Sequence, residues 1–375
     1  MASSEMTVSP LRVAFNGKFL SASPTGVHRV AAEIISALDR RLAQDSELNA
    51  HLDAIVLAPR NAKRDLGLQK IPVRTGSLLT GQFWEQLELP FRTRGRLLVS
   101  LCNLAPIATR EAVTMIHDAQ VHLTPQSYSR PFRVFYKTVQ PLMGRLHRRI
   151  LTVSSYSRDQ LDLAGVSPKD KTTVVHNGSD HLAQVAAQPG AAATFGLTAK
   201  QYVLALSNTQ PHKNIKVLLD AFALPPLSDY TLALFGGAGK EAFAAAGLSV
   251  PDNVAFLGPV SDEALVALMN DALCLGFPST TEGFGLPPLE AMACGCPVLV
   301  APCGALPEVC GEAAQFVAPD APHAWVDAIL DIALHSEQYD KWVAAGRRHA
   351  QSFTWARAAD ALVTVLEQVA PSSAA

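Results

Sequence analysis

The chain has 375 residues, 49% hydrophobic and 17% charged, with a formal net charge of −2. That length favours two domains over one, and the composition suits a globular protein with large cores. A slightly acidic chain without a recognition motif argues against a nucleic-acid binder. No run approaches the ~18 apolar residues of a membrane span. Residues 1–10 lack the basic and apolar regions of a leader, so the expected location is the cytoplasm or a membrane surface.

Short apolar runs alternate with amphipathic helical stretches, the pattern of α/β folds with parallel sheets. Residues 11–15 read as the first strand, ended by Asn16-Gly17. The Ser23-Pro24-Thr25-Gly26 loop leads into a helix with Val27, Val30, Ala31, Ile34 and Leu38 on one face. Strands follow at 54–57, 97–100, 112–116, 150–153 and 172–175. The Ala-, Gly- and Gln-rich stretch 183–199 reads as a linker. A second series then has strands at 202–206, 231–234, 254–257, 273–276 and 297–300, and residues 355–369 have a helical pattern. The expected architecture is two Rossmann-like domains, 1–182 and 200–352, with parallel sheets facing across a cleft and a C-terminal segment over 353–375. Ligands of open parallel sheets bind beyond the carboxyl ends of the strands, so the chemistry is sought there.

The segment 282–290, Glu-Gly-Phe-Gly-Leu-Pro-Pro-Leu-Glu, follows the 273–276 strand and its Phe277-Pro278-Ser279 turn. Gly283 and Gly285 let backbone N–H groups approach an anion closely. Pro287 and Pro288 suit the first turn of a helix, and Gly295 and Pro297 stop it. A loop feeding a helix N-terminus favours phosphate, although the glycines alone fit an ordinary capped turn equally well. Glu282 and Glu290 flank the loop; a carboxylate accepts paired hydrogen bonds from a sugar diol, and Glu290 could equally complement the helix dipole.

The run over 279–298, with its Glu-x7-Glu spacing, resembles the signature of family-4 retaining glycosyltransferases of the GT-B fold, also known as group 1 glycosyltransferases. The resemblance implies that Glu282 contacts the donor sugar, that Glu290 binds the nucleotide ribose, and that the backbone of Gly283, Phe284, Gly285 and Leu286 meets sugar and diphosphate. In Ser207-Asn208-Thr209-Gln210-Pro211-His212-Lys213-Asn214, just after the 202–206 strand, Lys213 would neutralise charge on the leaving diphosphate; its plain alternative is a surface lysine. Many family members carry an Arg six positions earlier, where Ser207 stands here. Diphosphate binding then falls to Lys213 with hydroxyl and amide help, or to another cation such as Arg158 in the 152–158 strand-to-helix segment. His117, ending the 112–116 strand, is either a core residue or, as the resemblance implies, a group reaching the donor sugar near the reacting centre. Asp118 would orient it or contact acceptor hydroxyls. Gly26 and Gly236 complete the donor-side candidates.

Residues 237–242 fit Gly-x-Gly-x-x-Ala after a strand, but the acidic residue that would confirm a dinucleotide site is missing; a loop over the donor is the better use. The six cysteines, including Cys294-Gly295-Cys296, show no zinc spacing. With no Asp-x-Asp motif either, neither metal nor cofactor is expected. Residues 1–180 carry 23 Lys+Arg against 15 Asp+Glu, and residues 181–375 carry 8 against 18. The stretch 130–149 holds Arg130, Arg133, Lys137, Arg145, Arg148 and Arg149 among Phe132, Phe135 and Tyr136, a composition suited to an anionic membrane surface or to a solvated face. The resulting expectation is a metal-independent retaining hexosyltransferase, with mannose from a GDP or UDP donor, acting on a glycan or lipid-linked saccharide in surface polysaccharide synthesis. The first domain would bind acceptor and the second donor. The alternatives are a nucleotide-sugar epimerase of the same fold, which needs no acceptor, and a non-catalytic nucleotide-sugar sensor.

Overall fold

The computed structural model describes residues 10–370. The opening nine residues, read above as lacking a leader, and the last five of the expected C-terminal segment lie outside the described residues. The chain divides into two compact units: one of residues 10–122, 129–177 and 355–370, the other of 123–128 and 178–354.

In the first unit seven strands form one sheet: β1 (Leu11–Asn16), β2 (Leu52–Ala58), β3 (Val73–Thr75), β4 (Leu97–Ser100), β5 (Ala112–Met115), β6 (Arg149–Thr152) and β7 (Thr172–Val174). Their order is β3-β2-β1-β4-β5-β6-β7, and every pairing is parallel. β1 is central because Val13, Ala14 and Phe15 are all fully buried, which fits a strand covered on both faces. The helix Gly26–Gln44 buries Val30, Ala31, Ile34 and Leu38, while Val27 stays half-exposed at its first turn. The helix Trp355–Val369 belongs to this unit and packs on Gly26–Gln44, with Arg41 Nε 3.4 Å from Asp360 Oδ1. Sequence patterning does not reveal β3: it is a three-residue edge strand with every side chain exposed, so burial imposes no apolar run on it.

The second unit holds β8 (Tyr202–Leu206), β9 (Thr231–Phe235), β10 (Val254–Gly258), β11 (Cys274–Phe277), β12 (Val298–Val300) and β13 (Gln315–Phe316), in the order β10-β9-β8-β11-β12-β13 and again all parallel. Val203, Leu232, Leu234, Trp325 and Ile329 lie in its main core. β13, two residues at an edge, also leaves no sequence signal. Residues 183–199 are packed within this unit: Ala191 and Ala192 are buried, and Ala191 packs with Ala264 and Ala267. Small apolar side chains there fill a tight contact, although their composition mimics a loop.

In each unit the strand order reverses beside the first strand, between β1 and β4 and between β8 and β11. These are the switch points where open α/β sheets bind ligands. A groove of about 1100 Å³ in the first unit opens at the opposite, amino ends of its strands. Arg12, Arg41, Arg96 and Arg148 line it and are all ion-paired, Arg12 and Arg96 to the same Asp53, Arg41 to Asp360 and Arg148 to Glu111.

Candidate functional site

At the second unit's switch point the loops after β8 and β11 are stitched together. The Thr280 amide donates to the His212 carbonyl at 2.8 Å, and Asn214 Nδ2 donates to the Pro278 and Pro319 carbonyls at 3.2 and 2.7 Å. Asn214 can do so because it adopts left-handed backbone (φ 51°), which asparagine tolerates better than most residues. The consequence is that Lys213 Nζ lies 2.7 Å from Glu282 Oε1, with both side chains mostly buried. A charge-assisted bond of this length fixes a cation and a carboxylate at one point beyond the strand ends.

Glu282 is seated by its backbone. Its carbonyl accepts from the Ala305 amide at 2.9 Å, and Gly304, at φ +63°, passes so close that a Cβ there would lie 2.5 Å from the Glu282 nitrogen. Gly285, at φ +100°, forms the left-handed N-cap of the helix Leu286–Cys294, with prolines in its first turn and Gly295 closing it at φ +79°. The Gly283–Leu286 stretch thus leads directly into a helix start, a setting that favours an anion. Phe284 is buried edge-on against Phe353, 6.0 Å between centroids, which anchors the loop. Glu290, on the inner side of that helix, lies 3.1 Å from His181 Nε2. Nothing in the sequence marks His181, since its partner lies 109 positions away.

Ser207 follows β8, and its hydroxyl donates to the Ala238 carbonyl, tying the β8 end to the glycine loop after β9. Gly236, at φ +127°, lets that loop run beside the Ser207 backbone, where a Cβ on residue 236 would lie 3.3 Å from the Ser207 carbonyl oxygen. Ser207 therefore organises a loop and places no charge where an Arg was expected.

His117, Asp118, Arg158 and Gly26 belong to the first unit. His117 is buried; its Nε2 lies 2.8 Å from the Leu101 carbonyl and its backbone N–H donates to Asn103 Oδ1 at 2.8 Å. A carbonyl only accepts, so Nε2 carries the proton and Nδ1 is left as the ring's acceptor. Burial pushes the imidazole down to about 4, with His28 adding to the effect and the Leu101 bond opposing it, so His117 is neutral near pH 7. Asp118 accepts from the Gln120 amide at 2.9 Å, a local turn contact. Arg158 lies in the helix Ser155–Leu163, which Ser154 caps by accepting from the Ser157 amide at 3.0 Å; its Nε is 3.7 Å from Asp159 Oδ1. Gly26 opens its helix with nothing within 4 Å of a built Cβ.

The first unit's switch point holds a second Lys–Glu pair, which sequence reasoning missed. Asn16 ends β1, and its Nδ2 donates to Glu85 Oε1 at 2.7 Å and to Ser100 Oγ, at the end of β4, at 3.1 Å. Lys18 Nζ donates to the other oxygen of Glu85, whose carboxylate is buried. The signal for Lys18 was its place just past the first strand; no local pattern marks Glu85, 67 positions on.

Among the described residues no group of three or more His, Cys, Asp or Glu is arranged to hold a metal ion. The cysteines are free thiols, and burial pushes Cys102, Cys294, Cys296 and Cys310 up to about 12, which makes them poor nucleophiles. No described helix is long and apolar enough to cross a membrane.

The model for glycosyl transferases group 1 matches residues 194–349, which contain the whole Lys213–Glu282–Glu290 constellation. The O-antigen chain mannosyltransferase B of Escherichia coli is 33% identical over 265 residues, covering 67% of this chain and 68% of that protein. The O-antigen chain mannosyltransferase RfbU of Salmonella typhimurium is 27% identical over 264 residues, covering 67% and 69%. Among solved structures, Anabaena Alr3699/HepE in complex with UDP and glucose matches with a TM-score of 0.72 at 20% identity, over 95% of this chain and 99% of that one. WaaG, a glycosyltransferase of lipopolysaccharide biosynthesis, matches at 0.67 and 15% identity, over 94% and 99%. These structural likenesses identify the fold as GT-B.

Proposed function

The chain belongs to the group 1 glycosyltransferases, and from that premise we propose that it moves a hexose from a nucleotide-diphosphate sugar to an acceptor hydroxyl, with retention of configuration. The observation that carries this reading is the Lys213–Glu282 pair at the β8/β11 switch point, beside the glycine loop that starts the helix Leu286–Cys294. Lys213 and the amides of Gly283–Leu286 would hold the diphosphate, Glu282 the sugar hydroxyls and Glu290 the ribose diol. His117 would present its bare Nδ1 or its backbone to the sugar. Gly26, Ser207 and Gly236 would shape the donor's surroundings, with Asp118 and Arg158 in supporting places. In the reaction the bond from the anomeric carbon to the diphosphate breaks, a bond to the acceptor oxygen forms, and the acceptor proton passes to the leaving diphosphate. Lys213 stabilises the charge that grows there, and no metal is invoked.

The second unit would bind the donor and the first unit the acceptor. Two relatives named O-antigen chain mannosyltransferases support mannose as the sugar and a surface glycan as the setting; GDP as the carrier and a lipid-linked saccharide as the acceptor are part of the proposal. The complex of HepE with UDP and glucose supports a nucleotide-sugar donor in general. A lipid-linked acceptor would put the enzyme at the inner face of the cytoplasmic membrane, where the basic stretch 130–149 would meet anionic lipid. The test is a thermal-shift panel of UDP, GDP and ADP on the intact chain and on Lys213→Ala, which removes the cation assigned to the diphosphate. Stabilisation of the native chain by GDP, weakened in the variant, is expected; no stabilisation by any nucleotide would remove the donor site.

A further inference from the structure

The helical run over residues 81–92 has two faces of opposite character. Its inner face buries Trp84 and Leu89 in the core with Ala14, Ile55 and Leu98, and delivers Glu85 to Asn16 and Lys18. Its outer face exposes Phe83 (72%), Leu87 (55%) and Phe91 (64%), a stripe at i, i+4 and i+8. The preceding loop adds Leu78, 86% exposed. A middle turn of π-helix, Trp84–Glu88, lies in this run.

The loop is built to hold those leucines outward. Glu88 Oε2 accepts from the Leu78 and Leu79 amides, both at 3.1 Å, and Ser77 Oγ accepts from the Arg60 amide at 2.9 Å while donating to the Leu79 carbonyl at 2.8 Å. An apolar tip that is hydrogen-bonded into place is a designed surface, not a frayed one. Charge selects its occupant. Over residues 73–94 the acids are Glu85, which is buried, and Glu88, which is engaged by the loop amides and lies 3.7 Å from Arg92. The exposed charges are the cations Arg74 and Arg94, and the Arg94 guanidinium lies over the Phe91 ring, 4.9 Å from its centroid. An aromatic capped by a cation is the arrangement that seats at a headgroup boundary, ring inward and charge outward. The apolar area, on the order of 500 Å², is less than the roughly 800 Å² per partner of a stable protein interface. It exceeds what scattered surface residues leave exposed.

We infer that this outer face, with Leu78, Phe83, Leu87, Phe91 and Arg94, seats the protein on an anionic lipid surface. The same helix would then hold Glu85, and through it Lys18, within a helix width of the lipid headgroups, where a lipid-linked saccharide presents its hydroxyls. The inference deepens the membrane reading above and rests on it, but it names a different surface from the 130–149 stretch.

Co-sedimentation of the full chain with phosphatidylcholine vesicles, with and without phosphatidylglycerol, tests it at low and high salt and needs neither donor nor acceptor. Binding to the phosphatidylglycerol vesicles is expected to fall roughly tenfold or more in Phe83→Ser/Leu87→Ser, with an unchanged melting temperature because both side chains are already in solvent. Arg74→Ser/Arg94→Ser should weaken the preference for phosphatidylglycerol, with what remains attributable to the 130–149 cations. Undiminished binding by Phe83→Ser/Leu87→Ser would overturn the inference, as would failure of the native chain to bind either vesicle. So would a dimer in sedimentation velocity that this variant dissociates, which would make the face a contact between copies. A native chain stabilised by nucleotide that binds no vesicle loses both this surface and the membrane reading and keeps the donor site; vesicle binding undiminished in Phe83→Ser/Leu87→Ser loses this surface alone; vesicle binding without nucleotide stabilisation loses the donor site alone.

Discussion

Lys213 and Glu282 lie 69 positions apart and meet at 2.7 Å, each from the loop that leaves one of two adjacent parallel strands. The pair is nearly buried, so each charge depends on the other. Lys213→Ala and Glu282→Ala should each lower transfer by about 10²–10³-fold and each destabilise the unit by about 3 kcal/mol, because the remaining charge loses its partner. The double variant should recover much of the stability and none of the activity. Chemical denaturation of all four chains measures the coupling; additive losses would mean that the pair does not hold in solution.

Gly304 supplies a sharper probe of the same carboxylate, since the three atoms nearest to a Cβ there all belong to the Glu282 backbone. Gly304→Ala would set a Cβ 2.5 Å from that nitrogen and 2.6 Å from the carbonyl oxygen, at a φ of +63° that disfavours any side chain. Backbone atoms cannot swing aside, so a loss of about 2 kcal/mol is expected, with weaker nucleotide stabilisation as the Gly283–Leu286 amides that follow Glu282 shift. A melting curve and nucleotide response matching the native chain would show that the loop's position is not fixed by this approach.

Much of this arrangement was legible in the sequence, and the reason is locality. Gly285, Pro287 and Gly295 encode a helix start and stop within one short segment, and the helix Leu286–Cys294 lies between them. Short apolar runs alternating with period-3.6 stretches located both strand series because central strands such as β1 and β8 are buried on both faces. What was not legible depends on distance or on the absence of burial. Glu85 and His181 owe their places to partners 67 and 109 positions away. The edge strands β3 and β13 carry exposed or half-exposed side chains and therefore no pattern. Ser207 could be recognised as a departure, but that its hydroxyl would turn to Ala238 required the glycine loop to be in place.

Two histidines of the first unit make its stability depend on pH. Burial pushes both His117 and His147 down to about 4 from 6.5. His147 sits between Thr114 Oγ1, 2.8 Å from its Nδ1, and the Pro106 carbonyl, 3.3 Å from its Nε2. Their folded values lie below the unfolded ones, so the unfolded chain takes up protons first as the pH falls. Their contribution is complete above about pH 6.5 and is lost as the pH drops through 4, by at most about 3 kcal/mol each. Urea denaturation across this range should show the decline, with a shallower slope in His147→Asn. A flat profile between pH 7 and 4.5 would contradict the buried neutral rings.

Lys18 and Glu85 provide the test that separates the two units' roles. The Glu85 carboxylate is buried, and Lys18 is the cation bonded to it, with Asn16 on its other oxygen. Lys18→Met should therefore destabilise by about 3 kcal/mol, and Glu85→Gln by less, since a neutral amide keeps an acceptor for Asn16 without a buried charge. Lys18→Met/Glu85→Gln should fold better than Lys18→Met alone. If this switch point receives the acceptor, the double variant will raise KM for acceptor or lower kcat while its stabilisation by nucleotide stays native. Loss of nucleotide stabilisation instead would place this pair on the donor, and unchanged kinetics would leave it a purely structural bond between the end of β1 and the 81–92 helix.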